Sequence, residues 1–523
     1  MGVRLKSEEA KASKELYKQL RTLPWKQLWE QEVGKFDKAT PKERMERVSV
    51  IRAVGVVFPE SGRVEQKDEV KRWLLGLLQD PCEKIRRYAM AAMPKIGAGA
   101  SEEAELLSLL RKTSVEREKK FLGQTLDKIG GAATLETMQE GAVGLSLQTE
   151  QKVKASVARL QSPSVVCMDA ILSDFAGLRI HLRGRKGLEQ IIRDEVEESI
   201  GTSGKFRIEA VSDGLVAITP VSPFGLGELY ALRCFGTVGL VIGTIPTGSE
   251  AELVEELASV IASPLSRRVL KTFTEGSIRY RLNFVAKGHQ RGAVRLVANR
   301  AYALCPEILN DARNAPWAID IHPAHHGSSV ELRPRLTPDP RLYYRQDDVP
   351  AASHPPLAAC MARLAGKVAN EIVWDPFCGS GLELIERALL GGVRRVYGTD
   401  LSEAAIAIAG KNFAAAKLKS IESNFTCCDF RNFATVGGLG SNAVTLIITN
   451  PPMGMRVPIP NLRGLIADLF NIAAKVLQPG GRLVFANPLR MECPHPSLRL
   501  QSRQTVDFGG FDCQLEKYLK SAR

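Results

Sequence analysis

The chain has 523 residues, too many for a single hydrophobic core, and its length implies about three domains. Hydrophobic residues make up 44% and charged residues 25%, and the lack of any apolar run of roughly eighteen residues argues against a membrane-spanning helix. A net charge of +13 favours a polyanionic partner.

The opening MGVRLKSEEAKASKELYKQL lacks an apolar h-region and carries acids, unlike a secretory signal. Ten cysteines are scattered without CxxC spacing, which suits reduced thiols and a cytoplasmic location. Residues 1–140 are helical in pattern. Leu74, Leu75, Leu77 and Leu78 precede a turn at Asp80-Pro81, and a helix is expected from Lys84 to Gly97. Its KIG ending recurs at Lys128–Gly130, an offset of 33 residues, and SVIRAVG ending at Gly55 is an earlier echo. Helical pairs of this size bury their apolar faces only by stacking. The Asp-Pro turn followed by Ile85-Arg86 resembles a HEAT-like repeat. Three roles stay open for this region: docking a protein partner, extending a grip on RNA, or stiffening the chain.

Residues 141–164 lose the periodicity and read as a connector. Over 165–345 strand-like runs (LRIHLRG, FRIEAVSDGLVAITP, VGLVIGTIP, IRYRLNFVAKG) alternate with helical ones (KGLEQIIRDEVEE, EAELVEELASVIAS), an α+β pattern. Within it, residues 266–300 hold nine cations against Glu275 alone. Arg267, Arg268, Lys271, Arg279, Arg281, Lys287, Arg291 and Arg295 are candidate phosphate contacts there. Phe273, Tyr280 and Phe284 lie between them, at strand spacing that suits core more than base stacking. His322, His325 and His326 lack a Cys or carboxylate at ligand spacing, so no metal site is expected.

Residues 346–523 read as a βα series. EIVWD is a strand ending at Asp375, and Pro376, Phe377, Cys378, Gly379, Ser380 and Gly381 form the turn into a helix. VRRVYGTD ends in Asp400, followed by Leu401; FTCCDF delivers Asp429 and Phe430; AVTLIITN delivers Asn450, Pro451, Pro452, Met453 and Gly454. Such alternation predicts a doubly wound parallel sheet with ligand at the carboxyl ends of the strands. Gly379 and Gly381 let backbone approach a cofactor's amino-acid portion. Asp375 is suited to orient that turn or hold an ammonium group, Asp400 to accept from ribose hydroxyls, and Asp429 to receive an adenine amine beside Phe430. A dinucleotide oxidoreductase would need GxGxxG, and FCGSG lacks the first spacing. Cys378 suits packing better than nucleophilic attack.

The glycine turn and the Asn-Pro-Pro-Met-Gly run, in this order, resemble the amino-methyltransferases that use S-adenosylmethionine. Lys186-Gly187-Leu188-Glu189, Asp213-Gly214-Leu215-Val216 and Glu228-Leu229-Tyr230 resemble the N-terminal half of the THUMP-containing RNA methyltransferases. Leu332-Arg333-Pro334-Arg335, Tyr344-Arg345 and His354–Ala359 resemble the bridge into their catalytic domain. The likeness spans about residues 170–520 and is nearest to the tRNA and large-subunit rRNA guanine-N2 enzymes of the UPF0020-like type. It implies three parts: HEAT-like helical repeats, a ferredoxin-like and THUMP-like α+β region that binds RNA, and a class I Rossmann-like methyltransferase domain. It also implies that the Asn450 side-chain oxygen and the Pro451 carbonyl accept hydrogen bonds from the target amine. Met453 stands where the family usually carries an aromatic, and Leu382 where Thr is common. Guanine N2 in tRNA or rRNA is the expected target. Adenine N6 in DNA or rRNA, and a non-catalytic RNA- or protein-binding scaffold, remain alternatives.

Overall fold

The computed structural model describes residues 13–140, 145–161, 163–200, 204–286, 288, 290–324, 327–350, 352–454 and 459–521. It divides into two compact units. One comprises Met1–Val165, Thr247–Ala262 and Thr274–Ala315; the other comprises Val166–Pro246, Ser263–Phe273 and Pro316–Arg523.

The first unit begins with stacked helices whose apolar faces form one core, with Phe36, Val54, Leu74, Ile85, Met90, Leu122 and Leu126 all buried. The helix expected from Lys84 to Gly97 runs Glu83–Ala92, tightens into a 3-10 turn at Met93–Ile96, and stops at Gly97 with φ +73. Pro94 supplies no N–H for an α-helical ladder, which accounts for the tightening. A Cβ on Gly55 would lie 3.0 Å from the Ala92 Cβ, so helix Ser49–Ser61 approaches this one closely. Ion pairs with a buried carboxylate link the layers: Arg44 with Asp80 at 2.7 Å, and Arg86 donating to Glu118 at 3.0 Å.

The expected connector contains a helix, Leu147–Gln161. Gln151 donates to the Ala298 carbonyl at 3.2 Å, and the Tyr302 hydroxyl donates to Glu150 at 3.0 Å. This segment is therefore packed on helix Arg291–Leu304. Among its described side chains the buried apolar ones are Val153 and Ala155, small ones amid polar contacts, which is why the helical period is faint.

In the second unit, an antiparallel sheet runs in the order 317–324, 327–334, 237–245, 179–183, 215–220, 206–212. Glu331 is buried in it. Burial opposes its charge, but hydrogen bonds from His181 and Arg183 prevail and hold its carboxyl down to about 2. Gly239 faces this carboxylate, and a Cβ there would lie 2.2 Å from Glu331 Oε2.

The C-terminal sheet has seven strands: β1 (Glu371–Asp375), β2 (Val393–Asp400), β3 (Glu422–Cys427), β4 (Val444–Thr449), β5 (Leu477–Asn487), β6 (Leu498–Asp507) and β7 (Asp512–Lys520). Their order is β3-β2-β1-β4-β5-β7-β6. The first five strands pair in parallel and β7 runs antiparallel to both neighbours. Helices α1 (Leu382–Leu389), α2 (Glu403–Ala415) and α3 (Leu462–Val476) provide crossovers. The strand β1 lies between β2 and β4, where the chain order reverses, and such a switch point opens a crevice at the strands' carboxyl ends. No helix among the described residues is long and apolar enough to cross a membrane.

Candidate active site

At the carboxyl end of β1, Asp375 has no exposed surface. One of its oxygens accepts from the Phe377 N–H at 3.0 Å and from the Thr449 hydroxyl at 2.6 Å. The other is buried without a hydrogen-bond partner among the described residues. Burial first, and the nearby Glu383 carboxylate second, push the Asp375 carboxyl well above the usual range. The strands β1 and β4 are thus tied side by side where the turn and the Asn450 segment leave them.

The glycine turn is closed by β2. Asp400 accepts from the Gly379 N–H and from the Ser402 N–H, each at 3.0 Å. Gly379 and Gly381 take φ +49 and +82, left-handed values that favour glycine, and Gly381 begins α1. Cys378 is buried, and burial raises its thiol well above the ordinary range, which fits packing and disfavours a thiolate. Leu401, next to Asp400, has 75% of its surface exposed.

Asn450 follows β4. Its Nδ2 donates to the Ser353 hydroxyl at 2.8 Å, and that hydroxyl donates to the buried Glu383 carboxylate. The Asn450 Oδ1 is buried and accepts from no group among the described residues. Ser353 therefore fixes which end of the amide is spent on the protein and which is left as an acceptor. Pro451 is buried, Pro452 and Met453 are half-buried, and Gly454 turns with φ +76.

Three residues were missed in the sequence. Ser353 and Glu383 hold Asn450, and Asn412, fully buried in α2, donates to the carbonyls of Asp347 and Ser380 at 3.0 Å each. Asn412 thereby clamps the segment 346–347 onto the glycine turn. A Glu at 383 within an apolar helix pattern was the available signal.

Other expected contacts lie differently. Asp429 is the cap of a 3-10 helix at Phe430–Thr435; it accepts from the Arg431 N–H at 2.9 Å and ion-pairs with the Arg431 side chain. Phe430 is buried against Phe377, ring centroids 4.8 Å apart, so its ring faces core in this state.

Of the basic run, Arg279 departs from expectation: it is buried and ion-paired with Asp311 at 3.4 Å, because the strand Ile278–Phe284 is covered on both faces there, Arg279 lying on the face opposite Ile278 and Tyr280. Phe273 and Tyr280 are likewise core. Arg267, Arg268 and Lys271 lie on helix Pro264–Thr272 of the second unit; Arg268 pairs with Asp174 at 2.9 Å, and Lys271 is exposed. Arg281, Arg291 and Arg295 belong to the first unit, with Arg291 and Arg295 exposed. Lys287, His325 and His326 lie outside the described residues.

Residues 343–515 match the UPF0020 family model, described as RMKL-like, methyltransferase domain. A tRNA (guanine(10)-N2)-dimethyltransferase of Methanocaldococcus jannaschii is 30% identical over 159 residues, covering 29% of this chain and 42% of that protein. The protein of the same name from Methanothermobacter thermautotrophicus is 29% identical over 185 residues, covering 35% of this chain and 49% of that protein. The chain thus spans under half the length of these two relatives. The crystal structure of TrmN from Thermus thermophilus aligns at TM-score 0.52 and 20% identity, covering 66% of this chain and 99% of that one, a likeness of fold.

Proposed function

We propose that this chain, whose residues 343–515 form a methyltransferase domain of the UPF0020 type, methylates the exocyclic N2 of guanine in tRNA or large-subunit rRNA, with S-adenosylmethionine as donor. The observation that carries the reading is the Asn450 amide. Its Nδ2 is held by Ser353 and its Oδ1 is a buried acceptor with no partner among the described residues. A buried acceptor left unsatisfied costs stability unless a ligand donor meets it, and an exocyclic amine is such a donor.

When bound, S-adenosylmethionine supplies an electrophilic methyl group. The chain's own residues do the rest. The partnerless oxygen of Asp375 suits the donor's ammonium group, Gly379 and Gly381 leave room for its amino-acid portion, and Asp400 retains lone pairs for ribose hydroxyls. Leu401 offers an apolar edge for the adenine. Asp429, already committed to Arg431, receives the adenine amine through its remaining acceptor capacity. Asn450 Oδ1 and the Pro451 carbonyl accept from the target amine, hold it in one orientation and enrich its lone pair. Met453 packs on the base face as a soft, polarizable surface. Catalysis of this kind rests on positioning and fixed dipoles, with no covalent nucleophile.

The remainder of the chain is read to match: HEAT-like repeats over 1–140, a ferredoxin-like and THUMP-like RNA-binding region over 165–345, and the catalytic domain over 346–523, in a cytoplasmic protein. The test is methyl transfer from labelled S-adenosylmethionine to unmodified total RNA, wild type against Asn450→Ala, followed by nucleoside analysis. Labelled N2-methylguanosine made by the wild type and lost in the variant is expected. Label in N6-methyladenosine would move the target to adenine, and no transfer to any RNA with the donor still bound would overturn the reading.

A further inference from the structure

A cavity of about 580 Å3 opens within the first unit, walled by helices Glu116–Ile129, Leu147–Gln161 and Arg291–Leu304. Lys119, Lys120 and Lys128 come from the first of these helices, Lys152 from the second and Arg295 from the third. Two acids share the wall. Glu116 pairs with Lys119 at 2.9 Å and Asp127 with Lys152 at 2.7 Å. Lys120, Lys128 and Arg295 are exposed, and none has a carboxylate within ion-pair distance among the described residues. Three unmatched cations thus converge on one concavity from two helices far apart in sequence.

The rest of the lining decides the ligand. Ser146, Gln148 and Gln124 add neutral donors, and among the described residues no aromatic or large apolar side chain lines the cavity. A mononucleotide site would offer an apolar or aromatic platform for the base. A protein-docking site would present apolar or aromatic anchors at its centre. Neither is here. Cations with small polar donors and no stacking surface match consecutive phosphodiesters, contacted without regard to sequence.

We propose that this cavity is a phosphodiester-backbone site through which the helical repeats grip the RNA substrate. The proposal rests on the reading of the chain as an RNA-modifying enzyme for the identity of its polyanion. It gives the N-terminal helices a binding role: they supply Lys120 and Lys128, and the helix once expected to be a connector brings Lys152 and Gln148 to the same wall.

The test uses the full chain and the triple variant Lys120→Gln, Lys128→Gln, Arg295→Gln, with thermal unfolding as the folding check. Affinity for unmodified total tRNA is measured by fluorescence anisotropy across a salt series. The variant is expected to bind roughly tenfold more weakly at ~0.1 M salt, with a log-log salt slope shallower by about 2–3. Unchanged affinity and slope in a folded variant would overturn the proposal. So would polyglutamate binding that the triple substitution abolishes while tRNA binding persists, since that would mark an acidic-protein site. Wild-type chain that binds tRNA through these three residues yet transfers no methyl would support the cavity and defeat the enzymatic reading, so the two failures are distinguishable.

Discussion

Glu371 and Asp375 stand at opposite ends of the five-residue strand β1, both with no exposed surface. At the amino end, Glu371 forms ion pairs with Arg387 and Arg482, two guanidinium groups that are themselves largely buried. At the carboxyl end, Asp375 has no cation at all among the described residues, and one of its oxygens has no partner. Burial is equal and satisfaction is not. The amino end pairs its charges within the protein, each Glu371 oxygen meeting a guanidinium, although Arg387 Nε and Arg482 Nε have no hydrogen-bond partner among the described residues. The carboxyl end keeps acceptors in reserve on Asp375 and Asn450, which is the arrangement a ligand requires.

The largest expected effect comes from breaking the paired end. Glu371→Ala leaves two buried guanidinium groups without a counter-charge, a loss on the order of 3–5 kcal/mol. Denaturant unfolding should show a lower midpoint, while methyl transfer per folded molecule is retained. An unshifted midpoint would contradict the structural assignment of that end.

Next comes the open end. Asn450→Ala should lower the transfer rate by about 100- to 1,000-fold, the scale for removing one oriented dipole, with donor affinity little changed in equilibrium titration. Ser353→Ala frees the amide to rotate and should lower kcat by roughly tenfold or more. Ser353→Thr, which keeps a hydroxyl, should recover most of it. Equal kcat in the Ala and Thr variants would remove Ser353 from the positioning chain.

Protonation gives a smaller, sharper contrast. Because burial raises the Asp375 carboxyl, the folded protein holds a proton there at pH values where the unfolded chain has lost it. Its contribution to stability is therefore present at low pH and is lost as pH rises through the folded-state value. The anion that would meet an ammonium group grows over the same rise, so donor affinity should increase with pH and binding should release a proton. Calorimetry in buffers of different ionisation enthalpy reads that proton; none released would argue against Asp375 as the partner.

The smallest effect is at His354, next to Ser353. Burial first, then Arg185, Arg345 and Arg341, push its imidazole down to about 4. The unfolded chain binds that proton near 6.5, so stability should fall as pH drops from there towards 4. His354→Gln should flatten that limb of a stability-pH profile.

Much of the catalytic domain was legible because its signals are local. The apolar runs before Asp375, Asp400 and Asn450 became β1, β2 and β4, each strand ending at or one residue before its polar residue. Glycines where φ is positive marked the turn. Asp429 was legible as an acid after a strand, but its commitment to Arg431 was not. The helix at 147–161 has a faint period because its apolar side is narrow, and its burial comes from helix Glu116–Ile129 together with residues about 150 positions away.

What the sequence by itself determined is the chemistry that short-range pattern encodes: the βα alternation, the glycine turn, and the Asn-Pro-Pro segment at a strand end. Tertiary structure alone decided which acceptors stay open and which cations stay free. Ser353 reaches Asn450 across 97 residues, Arg279 is consumed by Asp311 while Arg295 faces solvent, and Lys120 and Lys128 join Arg295 around one cavity. The reason is physical. A residue's type states what it can bond, but whether that bond is already made depends on partners brought near by folding, and no local window contains them.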